Sequence, residues 1–324
     1  MVRMAKPGDL GFLKHAWTVC FDDAASFVDW NFSHNFSFSD TVVAECDGVP
    51  ASNMQLMPHR IKLRGMEYDI NYVSGVATLP EFRMQGLVRE MFTFAFPEML
   101  RRHQPISLLV PFNYGFYEKF GYKQCYEKTY RFADSIPAEG LATAQDLGPE
   151  LTARLDRIYL RAMESKDGYV LRTQETWQRI LEDLLILSKG RILFHHTDGT
   201  EDGYALITAG NGSGWELHEV CGPCGLSLRE ETKPFAMARI LDPQRILGDL
   251  AKHFSGDLRL KITDGNLPEN NMNLRLANGQ ALPCEGYDSE VDIRYLAQLV
   301  FGFAEDFTGT GLFSQTEPYL NMIF

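Results

Sequence analysis

A chain of 324 residues is too long for one ordinary core and is expected to form two or three compact units. Its 45% hydrophobic and 23% charged residues are the balance of a globular protein, and a formal net charge of -12 disfavours nucleic acid or an anionic membrane, which reward Lys and Arg. Six cysteines make no disulfide framework, and neither a signal-peptide core nor an apolar run of about 18 residues is read, so the expected compartment is the cytoplasm.

In chain order, apolar residues at Leu13, Trp17, Cys20, Phe21, Ala24 and Val28 recur three and four apart and predict one helix over 10–28. TVVAECDGV reads as a strand entering the turn Asp47-Gly48, and MQLMPHRIKLRGMEYDINYVSGVATL supplies two or three more. A helix over 86–100, a strand ISLLV, a short helical YGFYEKF and a strand KQCYEKTYRF complete an α/β (α+β) layer arrangement with its own core, over 1–135. ADSIPAEGLATAQDLGPE lacks periodicity and reads as a boundary. A second unit over 145–230 has helices at 151–162 and 173–187, then strands RILFHHT, GYALITAG and WELHEVC. A third, over 234–324, alternates strand FAMARIL, helix PQRILGDLAKHF, strands DLRLKITDG and NMNLRLANG, and helix VDIRYLAQLVFGF.

The stretch VATLPEFRMQGLVREM carries chemistry. A strand that turns into a helix at Arg83-Met84-Gln85-Gly86 offers unpaired N–H groups and the positive end of the helix dipole to an anion such as a pyrophosphate. Glycine at 86 is expected because a Cβ would collide there, with Arg83 and Arg89 adding charge. The stretch is neither a Walker A loop nor a G-x-G-x-x-G fingerprint. PFNYGFYEKFGYKQCYEK follows, with Phe116, Phe120 and Tyr122 expected in the core and the Tyr117 hydroxyl as a candidate proton donor.

YVSGVATLPEFRMQGLVREMF followed by PFNYGFYEKFGY resembles the GNAT acetyltransferase superfamily, and within it the Eis-like (enhanced intracellular survival-type) N-acetyltransferases. The resemblance implies an acetyl-CoA-dependent enzyme with no metal, in which Val76, Ala77 and Thr78 pair with the pantetheine arm. Met84, Gln85, Gly86, Leu87, Val88 and Arg89 would hold the phosphates, and Phe112 and Asn113 match further coenzyme positions. Tyr117 matches the general acid, and the carboxylate of the final residue, Phe324, matches the general base. It also implies a shortened second GNAT-like domain over 145–230, a sterol-carrier-protein-like domain over 234–324, and a homo-oligomer, since family members form hexamers.

A cationic acceptor, either a small-molecule amine or a lysine, is expected to meet carboxylates and aromatic faces. The candidates are Asp22, Asp23, Trp30, Phe32 and Phe36 in the first domain, and Glu216 and Glu219 in the second. Two other readings compete. Cys221-Gly222-Pro223-Cys224 has the spacing of a thiol–disulfide redox pair, although no good helix follows it. A non-catalytic acyl-CoA-binding or assembly module would keep the fold without turnover.

Overall fold

The computed structural model describes residues 1–210 and 214–321, and the chain's contacts divide it into two compact units. The first unit joins 1–126 to 235–318, so the segment expected as a separate third domain shares a unit with the N-terminal one. Its N-terminal part runs β1 (Val2–Met4), α1 (Leu10–Cys20), α2 (Ala25–His34), β2 (Thr41–Cys46), β3 (Val49–Leu63), β4 (Met66–Thr78), α3 (Leu87–Arg101), β5 (Ile106–Leu109), α4 (Tyr114–Glu118) and β6 (Lys123–Gln124). The single helix expected over 10–28 is therefore two, separated by a break at 21–24 that contains Asp22 and Asp23.

The second unit comprises 127–234 and the tail from Tyr319. It contains β7 (Glu127–Ala133), β8 (Leu141–Ala142), α5 (Pro149–Ala162), β9 (Tyr169–Val170), α6 (Gln174–Glu182), β10 (Arg191–Thr197), β11 (Thr200–Ala209), β12 (Trp215–Cys221) and β13 (Arg229–Pro234). Its sheet order is β13-β7-β12-β11-β10-β8. Leu155, Tyr159, Trp177 and Leu181 of α5 and α6 pack on one face against Ile192, Tyr204 and Leu206. KQCYEKTYRF, expected as one strand, is cut between β6 and β7, which lie in different units.

The chain then returns to the first unit with β14 (Met237–Ile240), α7 (Pro243–Ala251), β15 (Asp257–Thr263), β16 (Met272–Ala277), β17 (Gln280–Pro283), β18 (Ser289–Asp292) and α8 (Ile293–Val300). The main strand path is β1-β2-β3-β4-β5-β14-β6, with β4 and β5 parallel and β14 antiparallel to both of its neighbours. This insertion is why a boundary at 234 does not hold: residues 237–240 are part of the N-terminal sheet. A second sheet, β17-β16-β15-β18, follows in the same unit.

On one face of the main sheet, α3 buries Met91, Phe92, Ala95, Phe96 and Met99 against Val42, Ala44, Met54 and Leu56. The three- and four-residue spacing makes one apolar stripe, and each large side chain removed from water stabilises by roughly 1.5–3 kcal/mol. On the other face Leu13, Trp17, Val28 and Phe32 cover Val43. Among the described residues no helix is long and apolar enough to cross a membrane.

Candidate functional site

β4 pairs with β3 from Met66 to Thr78, but with β5 at Asn71 and Tyr72 alone among the described residues. From Val73 onward the two parallel strands separate, and β4 presents an edge with no strand beside it. Such an edge offers N–H and C=O groups to any extended ligand that can pair like a strand. Register shifts within this edge: Gln55 faces Ser74 and Asn53 faces Ala77, so Met54 alone opposes both Gly75 and Val76. That is a β-bulge. Gly75 has φ 55°, and a Cβ there would stand 2.8 Å from the Trp17 ring, so backbone angle and space both require glycine. Side chains occupy the carbonyls of this segment. Asn53 Nδ2 donates to Gly75 O at 2.9 Å, Ser52 Oγ to Ala77 O at 2.8 Å and Arg83 Nε to Thr78 O at 3.1 Å.

The strand leads into the expected turn. Arg83 through Gly86 are exposed, and Met84 and Gly86 both take positive φ, 63° and 81°. The first bond back into α3 is Glu90 N–H to Gly86 O at 3.1 Å, so the N–H groups ahead of it at the helix start face outward. The reason given for Gly86 needs correcting. A Cβ there would meet nothing within 4 Å, so backbone angle, not collision with the protein, demands glycine. Leu87 is buried and Val88 packs on the core, leaving their backbone as what they can offer. Arg83 is turned toward the Thr78 carbonyl, and the Arg89 guanidinium lies 5.7 Å from the Phe120 ring centre.

Past β5, Phe112 is exposed, and Asn113 Oδ1 accepts the Phe116 N–H at 3.0 Å as the N-cap of α4. Tyr117 is buried among Phe92, Phe112, Phe116 and Tyr122, and its hydroxyl has no hydrogen-bond partner among the described residues. Burial, then the nearby Tyr72 phenol, push the Tyr117 phenol up, so it holds its proton at neutral pH. Tyr72 is the residue that sequence reasoning missed. It is the last β4 residue paired with β5, and burial pushes its phenol up to about 12 against a hydrogen bond from the Val110 N–H. Only the strand separation marks it, and no local motif does. Tyr122 is a core residue as expected, its hydroxyl 2.7 Å from Ser107 Oγ.

The residues expected to meet an acceptor do not form one group. Asp22 is exposed, whereas Asp23 Oδ2 accepts the Trp17 indole N–H at 2.9 Å and so holds that ring. Trp30 stacks on His34 at 5.2 Å. Phe32 is a core residue, 8% exposed, with Phe36 packed on it at 5.1 Å, so its assignment to the acceptor is corrected. Glu216 and Glu219 lie on β12 of the second unit. Glu219 is sealed: its side chain is 0% exposed and accepts from Arg172 at 2.8 and 2.6 Å, from Tyr204 and from Asn321. Burial pushes its carboxyl up, but the Arg172 charge and these hydrogen bonds outweigh that and hold it below the ordinary range. A carboxylate with its oxygens so engaged has nothing left for an acceptor, which corrects that expectation too. Phe324, the expected base, lies outside the described residues.

The competing cysteine pair loses its chemical basis. Cys221 ends β12 and is buried, and burial pushes its thiol up, the reverse of what a reactive thiolate needs. The segment after it runs into the strand β13. Among the described residues no group of three or more His, Cys, Asp or Glu could hold a metal ion.

Residues 1–125 match the family model of the acetyltransferase (GNAT) domain. No curated protein matches the chain. Among solved structures the chain is similar to a GCN5-related N-acetyltransferase from Anabaena variabilis, with a TM-score of 0.78 and 15% identity over 100% of both chains. It is similar to a conserved protein of unknown function from Enterococcus faecalis, with a TM-score of 0.76 and 17% identity over 100% of this chain and 99% of the other. It is also similar to Eis1 from Mycobacterium abscessus, with a TM-score of 0.75 and 15% identity over 100% of both chains. The separated β4–β5 pair, the bulge and the open start of α3 thus sit in a fold shared with GCN5-related N-acetyltransferases, and the chain has the GNAT acetyltransferase fold.

Proposed function

We propose that this protein transfers the acetyl group of acetyl-CoA to a primary amine. The observation that carries the reading is the continuity of the unpaired β4 edge with the open turn at Met84–Gly86. The edge offers strand-like hydrogen bonds to a pantetheine arm, and the N–H groups at the head of α3 offer a cradle to a pyrophosphate. The empty space in front of Gly86 is compatible with such a group. Acetyl-CoA would supply the thioester, and the chain's residues do the rest.

Backbone N–H groups near Val76 stabilise the developing negative charge on the thioester oxygen. Tyr117, kept protonated by burial, gives its proton to the sulfur as the C–S bond breaks. The attacking amine forms the C–N bond and loses its proton to a base, which the Eis-like resemblance assigns to the Phe324 carboxylate. Exposed Asp22 and the net charge of -12 suit a cationic acceptor. The Eis-like kinship, the sterol-carrier-like character of 234–324, a cytoplasmic homo-oligomer and a lysine or small-molecule amine as acceptor belong to the same proposal.

Calorimetric titration with acetyl-CoA, beside free CoA, tests it. Saturable binding followed by thiol release in the presence of amines supports the enzyme. Binding without turnover across an amine panel would leave an acyl-CoA-binding module, and no binding would remove the coenzyme reading altogether.

A further inference from the structure

Asn53 contributes to the first unit in a way that packing does not explain. Its side chain is buried at 2% exposure on β3, opposite Val43 and on the sheet face covered by α1 and α2. Nδ2 donates to Gly75 O, the carbonyl at the bulge, while Oδ1 has no partner among the described residues. A buried amide oxygen without a partner costs free energy that an aliphatic side chain of the same size would not. The amide is therefore retained for its donor. On the other side Gly75 is backed by the Trp17 ring, which Asp23 fixes through its indole N–H. The bulge is clamped from two directions, at the point where β4 has lost β5.

We propose that Asn53 is a positioning residue: by holding the Gly75 carbonyl it sets the orientation of the neighbouring peptide units, and with them the N–H donor that polarises the thioester carbonyl. The inference rests on the coenzyme reading above. It predicts a split that a merely structural residue would not give. Holding a donor at the thioester oxygen affects acetyl-CoA and leaves the phosphates and the pantetheine arm, which free CoA shares, untouched.

The test uses the full chain and acetyl-CoA carrying 13C at the thioester carbonyl. In the native protein the bound carbonyl resonance moves away from its free position, as a hydrogen-bonded carbonyl does. In Asn53→Leu, which keeps the volume and removes the donor, that displacement collapses toward the free value while free CoA binds within about twofold of native. Asn53→Ala serves where the Leu variant does not fold. An unchanged carbonyl shift in the folded variant overturns the inference, and so does an equal loss of CoA affinity, which marks a general structural role. A native protein that binds neither ligand overturns the coenzyme reading and the inference with it.

Discussion

The Arg239 guanidinium occupies the space that a side chain at position 121 would need: a Cβ built on Gly121 would stand 1.5 Å from Arg239 Nη1. Gly121 also has φ 82°. Arg239 is fully buried on β14, donates to Phe120 O at 2.8 Å and to Asp264 at 2.8 Å, and lies over the Phe96 ring at 4.4 Å. The glycine in FGY is thus the mark of a partner more than a hundred residues away.

Gly121→Ala should displace Arg239 from both bonds and leave Asp264 buried without its charge partner. The expected loss is about 3–5 kcal/mol, the usual cost of breaking a buried ion pair from one side. Denaturant midpoints measure it. A loss within the error of the native value would mean that Arg239 has an equally good alternative seat.

Gly86 presents the opposite case, since the angle and not the space requires glycine. Gly86→Ala should cost roughly 1–2 kcal/mol of stability, from forcing an L-residue into the left-handed region. Gly86→Asn, which tolerates that region, should recover most of the stability. Neither should recover coenzyme affinity, because either side chain enters the space in front of the α3 N–H groups; a loss of about tenfold or more in acetyl-CoA affinity is expected, about 1.4 kcal/mol or more. Thermal midpoints and calorimetry on the two variants separate angle from space.

Much of this fold was legible because its signals are local. Arg191–Thr197 and Trp215–Cys221 are strands with the bounds their alternation suggests, and the strand–turn–helix at 76–91 follows from a β-branched run, a glycine and an amphipathic stripe. What stayed hidden depends on partners distant in sequence. Nothing in MARI announces that it will pair between β5 and β6, and REETKP, all exposed, becomes β13 by pairing with β7. The site divides in the same way. The turn and Tyr117 are motif residues, whereas Asn53 and Tyr72 matter because of where β4 leaves β5. Glu219 reads as a free carboxylate until Arg172, 47 residues away, is placed on it.

That buried pair gives a pH prediction. The Glu219 carboxyl is held below its ordinary 4.5, so the folded state binds the proton less readily than the unfolded one. Its contribution is complete above about pH 4.5 and is lost as pH falls toward the lowered folded value. Glu219→Gln should lose about 3–5 kcal/mol at pH 7, since Arg172 is then buried without a counter-charge. The gap between native and variant urea midpoints should narrow as pH drops below about 4.5. A gap that stays constant into acid would show that the lost hydrogen-bond geometry, not the charge, is what the substitution removes.

The tail offers a test of the proposed base. Tyr319 N–H donates to Asp167 O at 2.9 Å, and Asn321 Nδ2 donates to Glu219 and to His218 O, so residues 319–321 are held in the second unit. Adding a short Gly-Ser extension after Phe324 moves the carboxylate without touching those contacts. Turnover should disappear while acetyl-CoA affinity and thermal midpoint stay at native values. An extended protein that turns over at the native rate would assign the base elsewhere.

Tyr117 and Tyr122 allow the acid to be tested against a matched control. The Tyr117 hydroxyl has no hydrogen-bond partner among the described residues, so Tyr117→Phe orphans no donor or acceptor and should leave stability within about 0.5 kcal/mol. If that hydroxyl protonates the departing sulfur, kcat should fall by about 10²–10⁴ while acetyl-CoA affinity holds, because general acid catalysis acts in the transition state alone. Tyr122→Phe reverses the pattern. It breaks the bond to Ser107 and should cost about 1 kcal/mol of stability with little change in kcat. The two rings are 6.3 Å apart in the same aromatic cluster, so a general loosening of that cluster would affect both variants alike. Loss of turnover confined to Tyr117→Phe therefore points to the proton and not to packing, and native turnover in that variant would remove Tyr117 from the reaction.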